Sequence, residues 1–77
     1  MINELDLVAL ETNVPEHHLV AGDVGTVVMV HEHGKGYEVE FVTSGGDTIA
    51  VLSLAAKEVR PLAGREVLHA RELTTAK

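Results

Sequence analysis

The sequence predicts an all-β fold in which five short strands curl into a small barrel. Three observations carry this. The segment Tyr37 to Val42 alternates apolar and acidic residues with a period of two, the pattern of a half-buried strand. Thr26-Val27-Val28 is a β-branched run, stiff at χ1 and poorly suited to a helix. The apolar segments are short and are separated by the glycine-bearing stretches His33-Gly34-Lys35-Gly36 and Thr43-Ser44-Gly45-Gly46-Asp47, which read as hairpin turns.

In chain order, Leu5 to Leu10 reads as a first strand. Glu11 to Asp23 is a long loop in which Pro15 interrupts regular structure and Ala21-Gly22-Asp23 has turn chemistry. Gly25 to His31 is the second strand, apolar at nearly every position, which predicts burial on both faces. In the third strand Tyr37, Val39 and Phe41 face the core and Glu38 and Glu40 face solvent. Thr48 to Leu54 is the fourth strand. Ala55 to Glu58 forms a single helical turn, and Val59 to Leu62 forms a last strand that Pro61 confines to an edge or an end. This order, with its long first loop and one-turn helix before the last strand, is that of an SH3-like barrel, in which curling removes most exposed edges. The barrel domain is expected over residues 1–63. Residues 64–77 form a C-terminal tail, flexible or drawn as a short amphipathic helix over Arg65 to Ala76.

The bulk numbers restrict function. The chain has 77 residues, no cysteine, no tryptophan, one tyrosine and one phenylalanine. A single small domain without disulfides or thiolate zinc therefore draws its stability from aliphatic packing, from oligomerisation or from a partner. The formal net charge is −6, which opposes a nucleic-acid or anionic-membrane role and suits a basic protein partner. The acidic start Met1-Ile2-Asn3-Glu4 does not read as a signal peptide, and the longest apolar run, Val27 to Val30, is far short of a membrane span, so a cytoplasmic location is expected.

Asp23-Val24-Gly25-Thr26-Val27-Val28-Met29-Val30 followed by Gly36-Tyr37-Glu38-Val39-Glu40-Phe41 resembles a KOW-type strand pair. More widely, Leu5 to Leu62 resembles a family of small uncharacterised bacterial proteins. The shared features are the Val14-Pro15-Glu16 loop, the Ala21-to-Val28 signature, the Tyr37-to-Phe41 strand and the Val59-Arg60-Pro61-Leu62 ending. The resemblance implies the SH3-like fold and no activity. KOW domains often contact RNA, but this chain departs from that habit. Its Lys and Arg residues are scattered, and acidic residues outnumber them twelve to six.

Four of the five histidines fall between positions 17 and 33. His31 and His33, two apart on a strand, would share a face and could hold a metal, with Glu16, His17 and His18 as further donors. Solvent-facing histidines explain the same pattern, and histidine titration offers pH sensitivity as another use. Gly22 and Gly25 are not followed by a helix or a Lys-Ser pair, so they are turn and strand-opening glycines rather than a phosphate loop. Ser44 and Ser53 lack a nucleophile elbow. An Asp23–Glu40 carboxylate pair is ordinary in an acidic domain. No catalytic residue, cofactor or metal ligand is assigned. The reading is a non-enzymatic protein-interaction module, an accessory partner of a cytoplasmic protein, in its most specific form antitoxin- or immunity-like. His31, His33, Glu38, Glu40 and Arg71 are the partner-binding candidates, and self-association through the last strand or the tail stays open. The alternatives are a KOW-like nucleic-acid domain and a histidine-based metal module.

Overall fold

The computed structural model describes residues 1–73. It is all-β: one antiparallel sheet contains β1 (Leu7–Leu10), β2 (Val24–His31), β3 (Gly36–Val42), β4 (Thr48–Ala55) and β5 (Val59–Pro61). Two 3-10 turns, Pro15–His17 and Ala56–Glu58, interrupt the connections. Pro15 opens the first of these. Its fixed φ suits a helical start, so it initiates a turn instead of merely breaking the loop.

The strands lie in the order β4-β3-β2-β1-β5. The five expected strands are present, but the sheet does not close. β5 pairs with β1, and no ladder joins it to β4. β5 has only three residues and ends on a proline, which has no N–H to extend a ladder. Residues 12–17 face Leu52, Ser53 and Leu54 at the opening, across a groove of about 300 Å³.

The core lies on the inner face. Val8, Leu10, Val27, Tyr37, Val39, Phe41, Leu54 and Val59 are buried there, and Leu19 reaches in from the long loop. Removing side chains of this size from water contributes ~1.5–3 kcal/mol each, which a cysteine-free chain of this length requires. Tyr37, Val39 and Phe41 alternate inward as expected.

Burial of β2 on both faces is not observed. The register against β3 runs Val27↔Val39 and then Met29↔Glu38, so Val28 is an extra bulged residue. A bulge shifts the side-chain phase by one. Val27 therefore points inward, Met29 points outward, and Val30 packs on the core again. The continuous apolar run is two half-buried segments of opposite phase. A second irregularity in β4, between its pairings to Phe41 and Val42, lets both Ile49 and Ala50 pack inward.

The β2–β3 turn also differs from expectation. Positive φ falls on Glu32, His33 and Gly34, and Gly36 belongs to β3. The expected C-terminal helix is absent as far as Leu73: residues 66–73 carry no regular structure. The remainder of that expectation, residues 74–76, lies outside the described part.

Candidate functional site

The outer face of the sheet brings together three of the five candidate residues, His31, Glu38 and Glu40. Register places Leu7, Thr26, Glu40 and Val51 in one row across β1 to β4. The next row is Met29, Glu38 and Ser53. Two carboxylates on β3, an interior strand of the sheet, thus stand between apolar side chains that remain open to solvent. Leu7 is 45% exposed, Met29 49% and Val51 51%, and the bulged Val28 is also exposed.

Both carboxylates are fixed. Glu38 Oε2 accepts a short hydrogen bond from Ser53 Oγ on β4. His31 Nε2 on β2 lies 2.8 Å from the same oxygen, a bond that requires the proton on Nε2. Glu40 Oε2 accepts from Thr48 Oγ1 at 3.0 Å. The hydroxyl of Ser53, followed by His31, holds the Glu38 carboxyl below its ordinary value of 4.5. Each bond favours the charged form.

The order of these three groups differs from that of a serine triad. In a serine triad the histidine stands between serine and carboxylate. Here Glu38 stands in the middle and Ser53 donates to it directly.

The structure separates His31 from His33. β2 ends at His31, and His33 follows in a left-handed conformation with φ of 60°. The strand alternation that would have given the two one face stops between them. His31 meets Glu38 on the outer face, whereas His33 lines a cleft with Met1, Ile2, Val30 and Tyr37. Among the described residues, no three His, Asp or Glu side chains converge as metal ligands.

Arg71 is engaged within the chain. Its guanidinium donates to both Asp23 oxygens, at 2.9 and 2.5 Å, and to the backbone carbonyl of His18 at 2.9 Å. Burial pushes the Asp23 carboxyl up, but Arg71 and the Val20 N–H together outweigh it and hold it below its ordinary value. Upstream, Glu66 Oε2 accepts from Arg60 at 2.7 Å and from the Ala63 N–H at 2.6 Å. Together these bonds lay residues 69–73 over a cleft of about 430 Å³ floored by Leu19, Phe41 and Ile49. The exposed apolar positions of β2, the Asp23–Arg71 clasp and the free edge of β4 escape sequence reasoning. Forty-eight residues separate Asp23 from Arg71, with no local pattern linking them.

Residues 4–61 match the family described as a domain of unknown function, DUF4926. This chain belongs to that family. The match spans β1 through β5 of the DUF4926 sheet and stops before the tail that carries Glu66 and Arg71. No curated protein and no solved structure is a significant match to the chain.

Proposed function

We propose that this chain is a non-enzymatic protein-interaction module, a small accessory partner that binds a basic cytoplasmic protein through the outer face of its sheet. The observation that carries this reading is the pairing on that face of two anchored carboxylates, Glu38 and Glu40, with the exposed apolar side chains of Leu7, Val28, Met29 and Val51. Apolar contact supplies binding energy, and fixed charge selects the partner and speeds encounter. Carboxylates already held in place lose little side-chain freedom on binding. The net charge of −6 favours a basic protein over RNA. The most specific form of the reading is an antitoxin- or immunity-like protein that caps a basic toxin.

A native pull-down followed by mass spectrometry tests it. A basic protein should be recovered, and Glu38→Lys with Glu40→Lys should abolish its recovery while the circular dichroism spectrum is retained. Recovery of this chain alone, or equal recovery by the double variant, refutes the reading. Low-salt gel shifts with an RNA probe test the nucleic-acid alternative, and binding there would replace it.

A further inference from the structure

We infer that the free edge of β4 takes up an extended lysine- or arginine-rich segment of a partner protein as a sixth strand. This inference rests on the reading of the chain as an acidic interaction module, and it names the mode of docking.

The argument begins with backbone polarity. The Ala56 N–H donates to the Lys35 carbonyl at 3.1 Å. Antiparallel pairs alternate between bonded and non-bonded, so in the register Tyr37↔Leu54, Glu38↔Ser53, Val39↔Leu52, Glu40↔Val51 the main-chain groups of Leu54 and Leu52 turn toward β3. Those of Val51, Ser53 and Ala55 turn away from it. The Ala55 N–H is taken by Glu58 Oε1 at 2.8 Å. The N–H and C=O of Val51 and Ser53 face the opening between β4 and β5, and among the described residues no backbone bond outside the β3 ladder reaches them.

Natural edges are usually blunted by lysine, proline or extreme shortness. β4 has none of these: it is eight residues long, Thr-Ile-Ala-Val-Leu-Ser-Leu-Ala, without charge or proline, and its one irregularity, at Ile49, lies outside the stretch from Val51 to Ala55. The groove beside it has a preformed far wall. Val14 and Leu19 exchange backbone bonds of 2.8 and 3.1 Å, and Asn13 Oδ1 accepts from the Ala21 N–H at 2.8 Å.

Charge decides the occupant. Glu16 and Glu58 line the groove, which has no lysine or arginine among its described lining residues, and Glu38 stands next to Ser53 on the outer face. A second copy would bring its own Glu16 and Glu58 against these, with −6 on each chain. A basic segment meets the same carboxylates with attraction, and the edge supplies sequence-independent main-chain bonds.

The probe is an alternating Lys-Val heptapeptide, titrated into the full-length protein with amide shifts followed by NMR and affinity by fluorescence polarisation. The expected result is shifts at the Val51 and Ser53 amides. N-methylation of alternate peptide residues should weaken binding by roughly tenfold or more, and a Glu-Val counterpart should not bind. Val51→Pro, which removes an outward N–H that β3 does not use, should weaken binding similarly. The N-methylated peptide gives the same readout on the unaltered protein. Shifts confined to Met29, Glu38 and Glu40, with affinity indifferent to N-methylation, overturn the edge inference and leave the outer-face reading standing. Concentration-dependent self-association through β4 overturns it in favour of a second copy. Absence of binding overturns the edge inference, and the native pull-down decides the outer-face reading separately.

Discussion

Gly25 shows how one position can constrain the whole sheet. A Cβ there would lie 2.6 Å from Val39 Cγ1, 2.8 Å from the Phe41 ring and 2.9 Å from the Glu40 carbonyl. Its glycine is required by the close approach of β3 to β2, unlike Gly22, whose φ of 95° belongs to a turn. Gly25→Ala is expected to destabilise the fold by about 1–3 kcal/mol through overpacking, read as a lower urea midpoint with an unchanged slope. At Glu38 the test is a titration. The folded carboxyl is held below 4.5, with the Ser53 hydroxyl the largest cause. Its stabilising contribution is therefore present above pH 4.5 and is lost as pH falls through the lowered value. Ser53→Ala should move the Glu38 carboxyl carbon titration upward, and further than His31→Ala does.

Among the elements, the tail is the one whose order depends on charge. Residues 64–73 form no helix, and two ionic clasps fix them, Arg60–Glu66 and Asp23–Arg71. Arg60, joined by the Ala63 N–H, lowers the Glu66 carboxyl from 4.5 to about 2. The first clasp thus contributes fully above pH 4.5 and is lost as pH falls through about 2. Carboxyl carbon shifts of Glu66 should titrate with a midpoint near 2, and tail amides should lose protection with them. Arg71→Ala removes three bonds. It is expected to lower heteronuclear NOE values for residues 69–73 and leave β1 to β5 unchanged. Unchanged NOE values would show that packing over Leu19, Phe41 and Ile49, rather than the guanidinium, orders the tail.

For the whole molecule, charge and the open sheet act together. With −6 on 77 residues, association with a basic partner should be steered electrostatically, and its on-rate should fall steeply with salt. Stopped-flow measurement between roughly 50 and 500 mM salt, spanning several-fold in screening length, should show the decline in the association rate with little change in dissociation. A salt-independent on-rate would assign recognition to the apolar side chains alone. The open sheet leaves β4 as an edge strand, so the molecule presents two adjoining surfaces, a charged face and the groove beside β4.

The sequence by itself determined the strands and turns, because alternation, β-branching and glycine placement are local properties of the chain. Tyr37, Val39 and Phe41 could be assigned inward, and Glu38 and Glu40 outward, from period two alone. The family match over residues 4–61 agrees with the resemblance carried by the same segments. Other features required the tertiary structure because they depend on residues distant in sequence or on a shift of phase. The Val28 bulge turned a run that reads as doubly buried into one with Met29 facing solvent. The end of β2 at His31 parted two histidines that spacing alone would have paired. Arg71 found Asp23 across 48 residues. Closure of the barrel was a matter of pairing: β5 reached β1 and not β4, and a three-residue strand ending in proline has too few donors to do both.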